Sequence, residues 1–107
     1  SLMDAVTALS GSGPAYVYYI MECLAEAAVS TGIPGEIAHM LTTHTVRGAA
    51  EMAIASDTSL KQLRKQVTSA GGTTEAGLEA LAQDDAVKQR IRDTLERAVA
   101  RARILAE

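Results

Sequence analysis

The sequence is poor in several residue types, and each shortage narrows the class of protein. Its 107 residues include no phenylalanine or tryptophan and only three tyrosines. The single cysteine, Cys23, cannot form a disulfide within the chain, which fits a reducing cytoplasm. No apolar run reaches the roughly 18 residues of a membrane span, and no signal-peptide pattern opens the chain. We therefore expect a globular, cytoplasmic protein.

Basic residues are scarce in the first half of the chain. The net charge is −3, and up to Thr58 a single base, Arg47, is outnumbered by six acids. From Ser59 onward nine bases accompany seven acids. An excess of two bases, interleaved with acids, is too weak for a nucleic-acid surface. We expect neither a nucleic acid nor a membrane as a partner.

Alanine, in contrast, is abundant, and no stretch alternates with the period of two that is typical of strands. Alanine fills 20 of the 107 positions and hydrophobic residues 48% of them, which indicates closely packed helices. The fold class is therefore predicted to be all-α. Helix start and stop signals predict helical segments over about residues 2–9, 14–30, 34–55, 60–67, 75–83 and from Asp84-Asp85, a second cap, to 105.

The boundaries depend on a few residues. A flexible corner is predicted at residues 10–14, with Ser12 or Gly13 as the cap and Pro14 at the first helical position. Its glycines lack the lysine and the preceding strand of a phosphate loop. Gly32 is predicted to end the second helix and Pro34 to open the third.

The helix over residues 14–30 is apolar almost all round. Only Glu22, Glu26 and Ser30 form a polar stripe. Such a helix must be buried on nearly every side, which a domain of this length cannot achieve alone, so we expect a second subunit to cover it. The tyrosines of this helix are interpreted as core aromatics and Cys23 as a packed, inert thiol.

Other side chains with chemical potential are interpreted as surface groups. His39 and His44 are five residues apart, hence about 140° apart around a helix, and cannot bind one metal ion together. Arg90, Arg97 and Arg101 form one side of the last helix, which we interpret as a solvated face. No metal site is expected.

The stretch Val67–Leu78 contains a glycine pair among four hydroxyl side chains. Gly71 and Gly72 should break the chain between two helices, and Thr73 or Thr74 could cap the second helix. The unpaired N–H groups and partial positive charge of a helix start, beside hydroxyls and bare glycine backbone, suit a small anion such as a carboxylate. The alternative is an ordinary helix–loop–helix corner with a threonine cap.

Two segments carry a resemblance to a known family. Residues 4–16 (DAVTALSGSGPAY) and residues 63–78, with TSAGGTT at their centre, resemble the C-terminal domain of pyrroline-5-carboxylate reductase. The order and spacing of the helices between them also agree, so the resemblance covers essentially the whole chain. One departure is Ala70, where many relatives carry proline, and it would loosen the loop without removing a ligand-binding group.

The resemblance implies an NAD(P)H-dependent oxidoreductase of proline biosynthesis that reduces Δ1-pyrroline-5-carboxylate to L-proline. Residues 1–107 would form its helical dimerisation and substrate-binding domain, which intertwines with a second copy as in 6-phosphogluconate dehydrogenase C-terminal-like folds. The expected assembly is a homodimer or a higher oligomer built from it. NAD(P)H would bind to an N-terminal Rossmann domain that this chain lacks, so the chain is interpreted as a fragment without a cofactor site and inactive alone.

The resemblance also implies a substrate site on the glycine-pair loop and favours the anion-site interpretation over the corner. The residues expected to bind the substrate carboxylate are Ser69, Gly71, Gly72, Thr73 and Thr74. Thr74 is the candidate catalytic residue, close enough to hydrogen-bond the ring nitrogen. An orienting role fits it better than proton donation, because a threonine hydroxyl is a weak acid. The rival hypotheses are a free-standing helical dimerisation module and a small carboxylate-binding regulatory protein.

Overall fold

The computed structural model describes residues 2–106, and every regular element in that range is helical. The elements are α1 (Leu2–Val6), a π-helical segment (Thr7–Gly11), α2 (Gly13–Ser30), α3 (Gly35–Ala55), α4 (Leu60–Gln66), α5 (Thr73–Leu81), a 3₁₀ turn (Gln83–Asp85) and α6 (Ala86–Ala106). The all-α prediction is confirmed. None of the helices in this range is both long and apolar enough to cross a membrane.

The chain divides into two compact units. One contains the residues up to Pro14 together with those from Val67 onward, and the other consists of Ala15–Gln66. The boundary falls in the first turn of α2. The glycine-pair loop therefore belongs to the first unit, and most of the α2–α3 pair belongs to the second.

In the first unit, the last helix packs against the start of the chain. α6 contacts both α1 and the π-helical segment, where Ala8 is only 1% exposed. The carboxylate Oδ2 of Asp4 lies 3.8 Å from Nε of Arg103, which links α1 to α6. These contacts give the first unit its small core.

The prediction of a flexible corner at residues 10–14 is wrong. The chain stays helical there but widens to π geometry, and the Ser12 N–H donates to the Thr7 carbonyl at 3.1 Å. The Ser10 hydroxyl donates to the Val6 carbonyl at 2.8 Å. Because the backbone bonds are shifted by one residue and not lost, the glycines in this stretch do not break the helix.

In the second unit, α2 and α3 are joined by a tight turn at Gly32, as predicted. Gly32 has φ of +107°, its N–H donates to Val29 O at 2.9 Å, and the Ile33 N–H donates to Ala28 O at 3.3 Å. This pair of bonds is the Schellman arrangement that closes helix ends. Pro34 then serves as the N-cap of α3 and not as its first residue.

The corner between α3 and α4 is held by serine side chains. The Ser59 hydroxyl accepts the Gln62 N–H at 3.1 Å, and the Ser56 hydroxyl accepts the Thr58 N–H at 3.0 Å. Both bonds satisfy backbone donors that a helix start or a turn leaves open.

The corner between α5 and α6 is built differently. Asp84 and Asp85, predicted to cap α6, both have left-handed backbone conformations, with φ of 57° and 55°. Aspartate is one of the few residues that tolerate this region, because its short side chain can bond locally. The Asp85 carboxylate also lies 4.0 Å from the Lys88 ammonium in the first turn of α6.

Very little of the single chain is covered. Within residues 2–106 only Ala8, Ala38 and Thr42 are buried, whereas Tyr18 is 66% and Leu24 is 50% exposed. The accessible surface of 8630 Å² exceeds by roughly 2,900 Å² the roughly 5,700 Å² that scaling predicts for a folded monomer of 11.2 kDa.

The predicted burial of α2 is therefore not achieved within one chain. Tyr18 and Tyr19 are both 66% exposed, and Cys23 is exposed as well, so within one chain these side chains are not packed in a core, and their packing depends on the second subunit expected from the sequence. The physical reason is that a helix apolar on nearly all sides needs more neighbours than this chain supplies.

Candidate functional site

The five predicted substrate-binding residues lie together between α4 and the first turn of α5. They are Ser69, Gly71, Gly72, Thr73 and Thr74, and all except Gly72 are exposed. α4 ends at Gln66, and α5 spans nine residues from Thr73. The site is therefore an open loop followed by a helix start.

The loop contains a closed turn with the features of a type II β-turn. The Gly72 N–H donates to the Ser69 carbonyl at 3.1 Å, and Gly71 has φ of +72°. A positive φ at the third position of a type II turn favours glycine, and proline is favoured at the second position. Ala70 occupies that second position, where the resemblance led us to expect proline.

A carboxylate that sequence reasoning missed also holds the loop. Oε1 of Glu75 accepts the Gly71 N–H at 3.0 Å, and the Glu75 side chain is half-buried. A signal was present in the sequence, because an acidic residue three positions after a helix N-cap is the pattern of a capping box. The N–H groups of both glycines are thus bonded, that of Gly72 within the loop and that of Gly71 to α5.

The predicted threonine caps are wrong. Gly72, in an extended conformation with φ −90° and ψ −178°, is the N-cap of α5, and no side chain bonds as a cap there. Thr73 and Thr74 are the first two residues of the helix itself. The extended backbone of Gly72 lets the helix begin two residues earlier than predicted, and Glu75 supplies the nearby side-chain acceptor.

The start of α5 presents unpaired donors. Within residues 2–106, the N–H groups of Thr73, Thr74 and Glu75 have no hydrogen-bond acceptor, and the first bond of the helix runs from Ala76 N–H to Gly72 O at 3.2 Å. These are the open N–H groups that every helix start carries, in a region of partial positive charge. They can donate to an anion.

Hydroxyl groups surround these donors. In the described part of the chain, the side chains of Ser69, Thr73 and Thr74 form no hydrogen bond. Three hydroxyls and three N–H groups therefore lie within a segment of seven residues. Such a donor-rich segment matches the chemistry of a carboxylate better than that of a cation.

The two glycines differ in the space around them. A Cβ atom on Gly72 would lie 3.3 Å from the Ser69 carbonyl oxygen, whereas a Cβ on Gly71 would meet nothing within 4 Å. A side chain at Gly72 would thus press against the turn itself. A side chain at Gly71 would have open space around its Cβ.

Two grooves elsewhere on the molecule do not include the loop. A groove of about 350 Å³ between α2 and α3 is lined by Tyr18, Met21, Glu22, Ala25, Glu26, His39, Thr42 and Thr43. A second, of about 430 Å³ in the first unit, is lined by Ala5, Leu95, Glu96, Val99, Ala100 and Arg103. Donor chemistry, and not concavity, distinguishes the loop in the single chain.

The side chains interpreted as surface groups are exposed, as predicted. They are His39, His44, Arg90, Arg97 and Arg101. Within residues 2–106, no three or more histidine, cysteine, aspartate or glutamate side chains are grouped so that they could hold a metal ion.

Comparison with known proteins gives a consistent result over almost the whole chain. The family model for pyrroline-5-carboxylate reductase dimerisation matches residues 1–105. The chain is 47% identical over 94 residues to pyrroline-5-carboxylate reductase 2 of Bacillus subtilis, covering 88% of this chain and 34% of that protein. It is 41% identical over 105 residues to pyrroline-5-carboxylate reductase of Pseudomonas aeruginosa, covering 98% of this chain and 38% of that protein.

Solved structures agree with this relationship. Pyrroline carboxylate reductase of Plasmodium falciparum with NADP bound superimposes with a TM-score of 0.91 at 35% identity, over 98% of this chain and 40% of that one. Pyrroline-5-carboxylate reductase of Coxiella burnetii also gives 0.91, at 46% identity over 95% of this chain and 37% of that one. The chain thus spans well under half the length of its relatives. It belongs to the family of pyrroline-5-carboxylate reductase dimerisation domains.

Proposed function

We propose that this chain is the helical domain of an NAD(P)H-dependent pyrroline-5-carboxylate reductase of proline biosynthesis. In that enzyme it supplies the interface of a homodimer and a loop that binds the substrate carboxylate. NAD(P)H would bind to an N-terminal Rossmann domain outside residues 1–107. The names of the relatives support the activity, and the donor-rich start of α5 supports the substrate loop.

The observation that carries the loop assignment is the set of unpaired donors between Ser69 and Glu75. A carboxylate there accepts hydrogen bonds from backbone N–H groups in a region of partial positive charge, with the hydroxyls of Thr73 and Thr74 beside it. Hydrogen bonds to a charged group are worth about 1.5–3 kcal/mol each, so two or three of them fix a small ligand in one orientation.

Fixing the ligand is the main chemical task of this domain. When bound, the nicotinamide supplies the hydride that reduces the imine carbon, and the ring nitrogen ends protonated. The loop holds the carboxylate so that the imine carbon is presented in one geometry. The hydroxyl of Thr74, the second residue of α5, orients the ring by hydrogen-bonding its nitrogen.

The second half of the proposal is the dimer. α2 is the apolar surface that one chain leaves open, with Val17 at 44%, Ile20 at 48% and Leu24 at 50% exposure. If two copies each cover the surplus of roughly 2,900 Å², the interface falls in the range of obligate dimers, about 2,000–5,000 Å² or more. Light scattering at micromolar concentration should give twice the chain mass, and a well-folded monomer would contradict this half.

A reductase assay tests the activity. The full-length protein should reduce Δ1-pyrroline-5-carboxylate with NADPH, whereas residues 1–107 alone should neither bind NADPH in calorimetry nor turn over substrate. A folded, dimeric full-length protein without reductase activity would favour the dimerisation module without catalysis. Turnover by residues 1–107 alone would place a cofactor site in this chain and contradict the proposed division of labour.

A further inference from the structure

We infer that Glu75 is a positioning residue for the carboxylate loop. This inference rests on the proposed function, and it adds a residue that neither the resemblance nor the threonine-based site includes. Its basis is the bond of 3.0 Å from the Gly71 N–H to Oε1 of Glu75.

The bond differs from that of a common helix cap. In a capping box the acidic side chain at the third helical position returns to the N–H of the N-cap residue. Here the N-cap is Gly72, whose N–H is already bonded to Ser69 O, and Glu75 reaches one residue further back to Gly71. The bond therefore ties the loop, and not only the helix end, to α5.

Gly71 is the residue of the loop that most needs such a tie. Its φ of +72° is left-handed, and a Cβ built on it meets no atom within 4 Å, so the space on that side of the residue is open. Glycine also has the largest conformational freedom in the unfolded and mobile state. One charge-assisted hydrogen bond from α5 thus helps to fix the turn, and the donors proposed to bind the ligand come directly after this turn in the chain.

The negative charge of Glu75 also opposes ligand binding, because it lies beside a site for an anion and repels it. The two effects separate in two substitutions. Glu75→Gln keeps an oxygen acceptor for the Gly71 N–H and removes the charge, whereas Glu75→Ala removes both. If Glu75 positions the loop, Glu75→Ala should therefore weaken ligand binding and Glu75→Gln should not.

The experiment compares both variants in the full-length enzyme with Glu79→Ala as the matched control. Glu79 lies one turn further along α5 and is exposed, and its side chain forms no hydrogen bond or ion pair within residues 2–106. We expect Glu75→Ala to raise the KM for pyrroline-5-carboxylate and the inhibition constant of L-proline about tenfold, with kcat changed less than about threefold. Glu75→Gln should match or fall slightly below the wild-type KM, and Glu79→Ala should match it.

Amide hydrogen exchange at Gly71 gives a readout that does not depend on the reaction. Glu75→Ala should accelerate it, and Glu75→Gln should leave it near wild type. If Glu75→Ala accelerates exchange at Gly71 but keeps the wild-type KM, the bond exists but positions nothing, and the inference is wrong.

Two further outcomes would also overturn the inference. Equal losses of thermal stability in both variants at unchanged KM would make Glu75 an ordinary helix cap. Unchanged exchange at Gly71 in Glu75→Ala would mean that the bond does not hold the loop. A failure of the proposed function is distinguishable, since it would appear as wild-type kinetics in Thr74→Ala, whatever the exchange at Gly71.

Discussion

Two turns of this chain each contain a glycine with positive φ, and their surroundings differ. Gly32, after α2, and Gly71, before α5, both have positive φ, at +107° and +72°. At the first turn the Gly32 N–H and its neighbours bond to the last carbonyls of α2, and the Thr31 hydroxyl bonds to Ala28 O at 2.7 Å. At the second turn the loop is tied internally, but the N–H groups that follow it are open.

The difference separates a structural glycine from one that we propose serves a site. A glycine turn at the end of a helix meets carbonyls, which the turn itself can satisfy through N–H groups of the backbone. A glycine turn ahead of a helix is followed by N–H donors, which need an acceptor from a side chain, water or a ligand. Only the second arrangement can bind an anion, and each prediction below tests that contrast.

The largest effect is expected for Gly72→Val. A Cβ at Gly72 already lies 3.3 Å from the Ser69 carbonyl oxygen, and the branched side chain of valine would open the turn. In the full-length enzyme we expect kcat/KM to fall more than about a hundredfold. Dimerisation, measured by light scattering, should persist because the proposed interface lies on the long helices. A kcat/KM within about threefold of wild type would show that the turn geometry does not matter.

Thr74→Ala should have the next largest effect. The loss of one hydroxyl that bonds the ligand should lower kcat/KM about ten- to a hundredfold, at about 1.4 kcal/mol per tenfold. Thr31→Ala is the matched control, since Thr31 also neighbours a glycine turn but its hydroxyl bonds to α2. Steady-state kinetics should give wild-type values for Thr31→Ala. Equal losses in the two variants would abolish the contrast between the turns.

Alanine at each positive-φ glycine should separate stability from binding. Gly32→Ala forces a side chain into a left-handed turn, which should lower the free energy of unfolding by about 1–2 kcal/mol while kcat/KM stays at wild type. Gly71→Ala should carry a similar strain and also raise the KM severalfold, since the strain falls on the ligand loop. Thermal melts at fixed protein concentration and kinetics check both. If the KM rose in Gly32→Ala and not in Gly71→Ala, the assignment of Gly71 to the ligand loop and of Gly32 to a purely structural turn would be wrong.

The smallest effect is expected for Ala70→Pro. Ala70 is at the second position of the turn closed by Ser69 O and Gly72 N–H, where the fixed φ of proline is favoured. Proline there should reduce the conformational freedom of the loop, which should raise the free energy of unfolding by about 0.4–1 kcal/mol and lower the KM about two- to fivefold. A raised KM would mean that Ala70 has a backbone conformation that proline cannot adopt.

Most of the helices could be predicted from the sequence. The predictions were wrong at residues 10–14 and at the start of α5, where the local pattern of backbone hydrogen bonds decides the structure. The position of Gly32 and the serines before α4 carried enough local information to place those corners. The π-helical segment at Thr7–Gly11 was missed because a change of winding leaves no mark on apolar periodicity. For α2, the sequence indicated that a second subunit must cover the helix, but it did not indicate which residues of that subunit do so.

The candidate site followed the same pattern. Hydroxyl and glycine composition identified the loop, but the roles within it depended on the extended backbone of Gly72. That conformation made Gly72 the cap and placed Thr73 and Thr74 inside the helix. Glu75 could not be predicted from the donor groups that suit a carboxylate, because its side chain accepts a bond from the loop.

A crystal structure of the full-length protein with L-proline bound tests the central claim most directly. The proposed function predicts the proline carboxylate within about 3.2 Å of at least two donors at the start of α5, the N–H groups of Thr73 and Thr74 foremost. The Thr74 hydroxyl should then reach the ring nitrogen. Proline bound with its carboxylate on other residues, and the Ser69–Thr74 loop without a ligand contact, would contradict the assignment.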